Sequence, residues 1–277
     1  MIKKNISIVM SCYNAAEIIG RTIESIKTQQ FQDYELIIVD DYSTDNTVEM
    51  IEEEITLDPR MTLIKNTENI GLTKSLIKAI RLSQGEYIAR IDAGDLMYPE
   101  RLRKQKEILD EHDDIGLVTS YCNIIKMKDG IMIEQYDKVL EAENIKRSMA
   151  HGNRIEHCTT MFRKSIHDAV GGYNKEYYTS QDYDLWVKML HVSSLYVIPE
   201  ILSTSVYDIG NSITYNKNKV QLKNGIKIRV NAMKNSYLPK KACMSGIIKA
   251  LLMYILPGKV NTMLRNYFSP VKSRSLE

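Results

Sequence analysis

Short apolar runs alternate with longer amphipathic stretches through the first hundred residues of the chain. Four of the runs are rich in β-branched residues and predict buried strands at 6–10, 35–40, 61–65 and 86–91. The stretches between them predict helices at about 16–29, 45–54 and 72–85, the last one ending on Gly85, a common helix stop signal. This alternation is typical of an α/β fold with a mostly parallel sheet flanked by helices.

The pattern changes beyond residue 114. The segment IGLVTSYCNIIKMKDGIMIEQY (115–136) predicts two antiparallel strands joined at Asp129-Gly130, a hairpin dipeptide. Further on, LWVKML (185–190) carries apolar residues at helical spacing, and it follows Asp182 and Asp184 directly. We therefore expect both carboxylates in the first turn of a helix that is anchored in the core.

Charge divides the chain into two regions. The net charge of +2 is the sum of −10 up to Tyr215 and +12 from Asn216 onward, where Glu277 is the only acid. Such an asymmetry indicates regions with different partners. We therefore expect one domain over 1–215 and a basic, mainly helical extension over 216–277.

The extension predicts contact with a membrane surface. Its apolar run GIIKALLMYIL (246–256) is shorter than the roughly 20 residues that cross a bilayer. Lysines interrupt and flank the run, namely Lys240, Lys241, Lys249 and Lys259. This composition suits a helix lying on an anionic membrane. The alternative is a helix packed back on the first domain with solvated lysines. Nucleic acid would also be attracted by this charge, but no recognition motif accompanies it, and we therefore expect no nucleic acid partner.

The location expected for the chain is the cytoplasm, at the inner face of the cell membrane. The first apolar run is too short for a signal peptide. The four cysteines are scattered without a C-x-x-C pair, which favours reduced thiols over a disulfide framework or a zinc site.

Polar side chains follow three of the predicted strands, at the point where each strand ends. These segments are SCYN (11–14), DDYSTDNT (40–47) and DAGD (92–95). The carboxyl ends of parallel strands meet at one edge of a sheet, where ligands bind. Crowded carboxylates need a cation between them, and oxygen ligands suit Mg²⁺ or Mn²⁺. The three segments therefore predict a site for a divalent metal and a diphosphate.

Simpler interpretations exist for each segment. Asp41 and Ser43 could cap the following helix, and Asp92 and Asp95 could form the turn before a helix opened by Pro99. Asp182 could pair with Thr179 as a capping box. A dehydrogenase or P-loop enzyme is excluded because the first turn has neither G-x-G-x-x-G nor G-x-x-x-x-G-K-[ST].

The order and spacing of these segments resemble inverting family 2 glycosyltransferases with the GT-A fold. The resemblance covers roughly residues 5–215 and is carried by SIVMSCYN, ELIIVDDYSTDNT, NIGLTKSLIKAI, EYIARIDAGD, TTMFRKSIHDAVGGYN and SQDYDLWVKML. It implies transfer of a sugar from a nucleotide diphosphate sugar, most often a UDP-sugar, to a hydroxyl of a glycan or a lipid-linked acceptor in surface polysaccharide synthesis. A catalytically impaired relative that binds nucleotide sugars or acts as a scaffold is the alternative.

The resemblance also implies roles for individual residues. Ser11 and Tyr13 would hold and stack on the base, and Asp41 would accept a hydrogen bond from it. Glu17 and Lys74 would line the same pocket. Asp92 would bind the ribose or sugar and share a metal with Asp95. Asp182 would act as the catalytic base, with Asp184 as a weaker alternative.

The sequence departs from the family pattern at three positions. Gly94 stands where the family has an acidic metal ligand, and Gln181 replaces the acid that precedes the catalytic aspartate. Gly210 occupies the place of a frequent histidine. These changes bear on metal dependence and on activity itself. We expect Asp95 to replace the metal ligand that is missing at Gly94.

Overall fold

The predicted alternation of strands and helices is present in the computed structural model, which describes residues 5–208 and 218–255. The elements between residues 6 and 90 are β1 (Ile6–Cys12), α1 (Ala16–Lys27), β2 (Tyr34–Asp40), α2 (Thr47–Leu57), β3 (Met61–Lys65), α3 (Leu72–Leu82) and β4 (Tyr87–Arg90). The four strands pair in parallel in the order β3–β2–β1–β4. Every residue of β1 and β4 is buried, as expected for central strands covered on both faces.

The sheet continues beyond β4 with mixed pairing. The elements here are β5 (Leu96–Met97), α4 (Arg101–Glu111), β6 (Ile115–Lys128), β7 (Ile131–Lys138), α5 (Ile145–Met149), β8 (Met161–Arg163), α6 (Lys164–Ala169), α7 (Gln181–Val192) and β9 (Ser194–Asp208). β8 runs antiparallel to β4 and β6, whereas β6 and β9 are parallel. The hairpin of β6 and β7 turns at Asp129 and Gly130, both with positive φ, which confirms its prediction. The whole is a mixed sheet flanked by helices, as expected for an α/β protein of the GT-A fold class.

The last two helices pack against the body of the protein. They are α8 (Asn218–Lys234) and α9 (Lys240–Ile255). Ile228, Ala232 and Cys243 are buried in the same apolar cluster as Trp186 of α7. The expected domain boundary at residues 215 and 216 falls outside the described residues, as does Gly210, so the division into two domains stays a prediction. No helix within 5–208 or 218–255 is long and apolar enough to cross a membrane.

Two helix boundaries differ from those expected. α2 begins at Thr47 rather than Asp45, because the Asp45 carboxylate lies before the helix and accepts hydrogen bonds from the N–H groups of Thr47 and Ala16. α3 ends at Leu82 rather than Gly85. Gly85 serves a different purpose, since a Cβ there would lie 2.5 Å from the backbone nitrogen of Ser7. The residue is glycine because the chain entering β4 passes close to β1.

This close approach predicts the effect of adding one methyl group. Gly85→Ala should lower the free energy of unfolding by about 1–3 kcal/mol, because the methyl group forces two backbone segments apart. Gly20→Ala is the matched control, since it lies inside α1 with only the Met50 methyl at 3.8 Å. Alanine in a helix interior should raise stability by roughly 0.5–1 kcal/mol. Urea unfolding of both variants measures the two effects, and equal shifts in one direction would contradict the interpretation.

Candidate active site

A cavity of about 810 Å³ lies beside the carboxyl ends of β1, β2 and β4. Most of the residues predicted from the sequence line it, namely Ser11, Tyr13, Asp41, Asp92, Asp95 and Asp182. Glu17 and Lys74 lie exposed on α1 and α3, and they are not among the lining residues. The fold therefore brings both the proposed donor residues and the proposed base to one cavity. The roles of all eight residues stay predictions.

Hydrogen bonds join the loop after β1 to the loop after β2. The ring of Tyr13, in the first of these loops, takes no part in them. The N–H of Asn14 donates to the hydroxyl of Ser43 at 2.9 Å, and the N–H of Thr44 donates to the Asn14 side chain at 2.8 Å. Ser43 thus holds the β1–α1 loop, so the interpretation of its hydroxyl as a cap of α2 is wrong. Tyr13 is 51% exposed at the cavity, where its ring can stack on a flat ligand.

The carboxylate of Asp41 organises the loop before α3 instead of capping α2. One oxygen accepts hydrogen bonds from the side chains of Asn66 (2.8 Å) and Ser75 (3.1 Å) and from the N–H of Ile70 (2.9 Å). The other accepts one from the N–H of Gly71 at 2.7 Å. Asp41 is therefore fixed in place, and the second oxygen retains acceptor capacity toward the cavity.

Asp92 and Asp95 share a turn but have different environments. The fully buried guanidinium of Arg90 donates to one oxygen of Asp92, whose side chain is 37% exposed. The other oxygen of Asp92 accepts no hydrogen bond from the described residues. Asp95 is buried and accepts a 2.8 Å hydrogen bond from the N–H of Val206. Burial and, less strongly, the charge of Asp92 raise the pKa of Asp95 to about 7.

The fit of these residues to a divalent metal is partial. Within the described ranges, no group of three or more His, Cys, Asp or Glu side chains could hold an ion. Gly94 has φ +99°, and a Cβ there would lie 3.2 Å from the side chain of Ile18, so the backbone disfavours an acidic residue at this position. Asp92 remains as an accessible oxygen ligand. A metal would therefore need further oxygens from a ligand such as a diphosphate.

Asp182 lies in the first turn of α7 and faces the cavity. Its two oxygens accept hydrogen bonds from the N–H of Tyr183 (2.8 Å) and the side chain of Asn153 (2.6 Å). Burial raises the pKa of Asp182 to about 6, and Glu156 and Asp92 add to this effect. The residue before α7 is Ser180, in the left-handed region at φ 65°, and it forms no side-chain cap. The capping-box interpretation of Thr179 and Asp182 is thus wrong.

Three residues near Asp182 were also considered from the sequence, and each is held by contacts within the protein. Asp184 is buried beside Lys188 at 3.0 Å and is not among the residues that line the cavity. Trp186 is fully buried in the core. His157 contacts the hydroxyl of Tyr173 at 2.6 Å, and burial lowers its pKa well below the usual range, so it is neutral at pH 7. Asp182 is therefore better placed than Asp184 to act as a base.

Several lining residues were missed by the sequence interpretation. Asn153 orients Asp182, and Arg229 enters the cavity wall from α8. Glu156 accepts hydrogen bonds from Lys138 and Tyr207 in the same wall. Asn153 and Glu156 lie in a stretch without a motif. Arg229 lies in the C-terminal extension, for which the sequence predicted only a basic, mainly helical character. No local sequence signal identifies any of them.

Solved structures share this fold at low sequence identity. S. aureus TarS 1–349, in a structure described as a complex with UDP, matches with a TM-score of 0.66 and 17% identity, covering 94% of this chain and 74% of that one. The mannosyltransferase PcManGT from Pyrobaculum calidifontis, described in complex with GDP-Man and Mn²⁺, matches with a TM-score of 0.65 and 14% identity, covering 96% and 80%.

Curated proteins match at higher identity. An uncharacterised glycosyltransferase of Haemophilus influenzae is 32% identical over 207 residues, which are 71% of this chain and 64% of that protein. The putative teichuronic acid biosynthesis glycosyltransferase TuaG of Bacillus subtilis is 29% identical over 223 residues, covering 80% and 86%. The chain spans about two thirds of the length of several such relatives, 64% to 66%. The family model described as glycosyl transferase family 2 matches residues 7–171, more than half of the chain, and the chain therefore belongs to that family.

Proposed function

We propose that this protein transfers a sugar, with inversion, from a nucleotide diphosphate sugar, in particular a UDP-sugar, to a hydroxyl of a glycan or a lipid-linked acceptor in surface polysaccharide synthesis. One observation carries the proposal. The cavity that holds Tyr13, Asp41 and Asp92 also holds Asp182, a carboxylate with a raised pKa. The similarity to TuaG, a putative teichuronic acid biosynthesis glycosyltransferase, supports the polymer class, and the complex of TarS with UDP supports the donor base.

The proposed donor end uses contacts that a nucleotide needs. The exposed ring of Tyr13 offers a stacking surface for the base, and Asp41 offers an acceptor for an N–H of uracil. Asp41 is already held by four hydrogen bonds, which suits recognition because little side-chain entropy is lost when it binds a ligand. Asp92 offers its second oxygen to the ribose, the sugar or a metal.

The proposed reaction is a single displacement. The acceptor oxygen attacks the anomeric carbon while the bond from that carbon to the diphosphate breaks, and UDP leaves with the bonding electrons. The hydroxyl proton moves to Asp182, which is ionised above pH 6. Asn153 and the N–H of Tyr183 hold the carboxylate in position. One displacement on the face opposite the leaving group inverts the anomeric configuration.

The base assignment predicts a large loss of rate. Asp182→Asn should retain UDP binding and lose on the order of 10²–10⁴ in transfer rate, the usual contribution of a general base. Asp184→Asn is the matched control and should keep most of its activity, because Asp184 lies outside the cavity lining. A panel of nucleotide sugars is screened first for thermal stabilisation, and transfer is then followed as UDP release.

The pH profile gives a second measure of the same prediction. Activity should fall as the pH drops below about 6, when Asp182 takes up a proton. Near wild-type turnover in folded Asp182→Asn protein would contradict the assignment and favour Asp184. Binding of UDP without transfer from any donor in the wild type would instead favour the impaired, scaffolding relative.

We infer that Asp92 and the donor's phosphates jointly hold a divalent ion, Mg²⁺ or Mn²⁺. The buried carboxylate of Asp95 supports this site from the same turn. A protein that shares the fold, PcManGT, is described in complex with GDP-Man and Mn²⁺. A bound ion supplies charge neutralisation for the departing diphosphate. The protein alone offers one accessible carboxylate, so most of the ligands must come from the donor.

This arrangement predicts metal binding that depends on the nucleotide. Calorimetry with Mn²⁺ should detect weak binding to the free protein and much tighter binding once UDP is saturating. Asp92→Asn should remove the difference, whereas Glu24→Gln, an exposed carboxylate change on α1, should leave it intact. Tight Mn²⁺ binding without UDP, or full activity in excess chelator, would contradict the prediction.

We propose further that α9 rests on an anionic membrane at the cytoplasmic face. Its small residues Ala242, Cys243, Gly246 and Ala250 are buried against the body, and its large ones, Met244, Ile248, Leu251, Leu252 and Ile255, are exposed along one face. The helix therefore packs on the body and still presents an apolar face. Lys240 and Lys241 are exposed at its start, and each basic residue near such a surface contributes about 1 kcal/mol. Lys259 lies outside the described residues.

The membrane proposal is tested on this exposed face. The wild-type protein should sediment with phosphatidylglycerol vesicles at low salt and be released as salt rises. Ile248→Glu with Leu252→Glu should stay in the supernatant. Leu57→Glu, at an exposed position on α2, should behave like the wild type. Equal sedimentation of the double variant would refute α9 as the contact surface.

A further inference from the structure

A lysine–glutamate ion pair and a tyrosine lie in the cavity wall without a part in the proposed reaction. The side chains are those of Lys138, Glu156 and Tyr207, and all three residues line the cavity. Lys138 donates to one carboxylate oxygen of Glu156, and the hydroxyl of Tyr207 donates to the other at 2.5 Å. We call these three side chains the wall triad. They come from β7, from the loop before β8 and from β9.

The sheet register explains why the members of the wall triad meet. Cys122 of β6 lies opposite Lys138 of β7. Lys126 of β6 lies opposite Tyr207 of β9. Cys122 and Lys126 are four residues apart in a regular stretch of the strand, so their side chains point to the same face of the sheet. Lys138 and Tyr207 therefore share that face, and Glu156 contacts both across it.

The wall triad lies beside the turn that carries Asp95. The N–H of Val206 donates to the carboxylate of Asp95 at 2.8 Å. Tyr207 is the next residue of β9, and a strand advances by only about 3.3 Å per residue. The strand that holds Asp95 thus also supplies the hydroxyl that holds Glu156.

In the proposed reaction the transferred sugar passes this part of the wall. Its diphosphate is bound at the turn of Asp92 and Asp95, and its anomeric carbon faces the hydroxyl that Asp182 deprotonates. Glu156 lines the same cavity as Asp182, and burial and, less strongly, the charge of Glu156 raise the pKa of Asp182. The sugar therefore lies where the wall triad offers its polar groups.

Glu156 and Lys138 compensate each other's charge. Burial alone would raise the pKa of Glu156, but the charge and hydrogen bond of Lys138 hold it below its usual range. Burial alone would lower the pKa of Lys138, but the charge and hydrogen bond of Glu156 raise it. Both side chains are therefore ionised at neutral pH, as a pair without net charge.

The pair keeps hydrogen-bonding capacity for a ligand. Both side chains are partly exposed, and within the described residues neither forms a further hydrogen bond. An ammonium group has three N–H donors, and each carboxylate oxygen has two lone pairs. Lys138 can therefore still donate, and Glu156 can still accept.

This combination suits a hydroxyl group better than a carboxylate. A hydroxyl both donates and accepts, so it can donate to Glu156 and accept from Lys138. A carboxylate cannot donate, and it would compete with Glu156 for Lys138. One of the two carboxylates would then be desolvated without a partner, which is unfavourable. The lining adds to this effect, because six of its described residues are Asp or Glu and two are Lys or Arg.

We propose that Glu156 and Lys138, with Tyr207 holding Glu156 in place, bind hydroxyl groups of the transferred sugar and select a neutral sugar over a uronic acid. This inference rests on the proposed function, because it names the class of donor sugar. An acceptor sugar offers the same hydroxyl chemistry, and the experiment separates the two sources.

The test compares donors that differ only at C6, where UDP-glucose has a hydroxymethyl group and UDP-glucuronate has a carboxylate. Calorimetry on the full chain with Mn²⁺ should give UDP-glucose a Kd lower by about tenfold or more, the usual effect of one charged hydrogen bond. Glu156→Gln keeps the shape of the side chain and frees Lys138 for a ligand carboxylate. It should reduce the preference by about tenfold or more, mainly by tightening UDP-glucuronate, and leave the Kd of UDP unchanged. UDP-galactose and UDP-galacturonate provide the same comparison for the C4 epimer.

Glu134→Gln is the matched control. Glu134 forms the same kind of cross-strand pair, with Lys126 at 2.6 Å, on the same face of the hairpin but outside the cavity lining. This variant should bind every donor like the wild type.

A double variant provides the same test without an unpaired ion. Glu156→Gln alone leaves Lys138 without its partner, which can destabilise the fold. Glu156→Gln combined with Lys138→Gln removes both charges together. Its preference for UDP-glucose should lie between those of the wild type and the single variant, and it decides the question if the single variant does not fold.

Equal Kd values of the wild type for the neutral and the acidic donor, or an unchanged ratio in the Glu156 variants, would overturn the assignment. Should these variants bind both donors normally and lose binding of methyl glucoside to the UDP-saturated protein, the wall triad belongs to the acceptor. Failure of the wild type to bind UDP would refute the proposed function. Binding of UDP with an unchanged ratio would refute only the class of donor sugar.

Discussion

Repulsion among the carboxylates gathered at the carboxyl ends of the strands is the constraint on which the rest of the site depends. Each carboxylate is compensated by different donors. Asp41 is held by three hydrogen bonds from the loop before α3 and one from Ser75 of α3, and Asp95 is held by the backbone of β9. Asp92 is paired with the buried Arg90 and keeps one oxygen open. The rim therefore separates carboxylates that organise loops from Asp92 and Asp182, which remain available for chemistry.

Two buried arginines connect these carboxylates to the core of the sheet. Arg90 pairs with Asp92, and Arg101 of α4 donates from Nη2 to the carbonyls of Arg90 (2.9 Å) and Thr160 (3.0 Å). Thr160 precedes β8, so one guanidinium joins the parallel half of the sheet to its mixed half. Burial lowers the pKa of Arg101 to about 10, and the side chain is still charged at neutral pH. Hydrogen bonds to backbone carbonyls offset part of its desolvation.

The sequence predicts best what is local. Apolar runs locate β1 to β4, and Asp129-Gly130 locates the hairpin, because both signals lie within a few residues. The end of α3 could not be predicted, since Gly85 is required by contact with Ser7, 78 residues away. The strand-end motifs predicted that Tyr13, Asp41 and Asp92 would meet, and the family resemblance added Asp182 to them. Arg229 could not be placed, because its guanidinium is fixed by distant parts of the chain, namely the carbonyl of Ala150, to which it donates, and Gly246 of α9, against which it packs.

Burial of the Asp182 carboxylate has an energetic cost for the folded chain. The pKa of Asp182 is about 6 in the folded chain against an ordinary 3.8, so the folded state binds this proton more tightly than the unfolded state does. Stability is therefore lost as the pH rises from about 4 to about 6, and an ionised Asp182 is destabilising at neutral pH. A base needs a raised pKa, so the burial that makes the ionised carboxylate unfavourable in the folded chain also suits Asp182 to its proposed role.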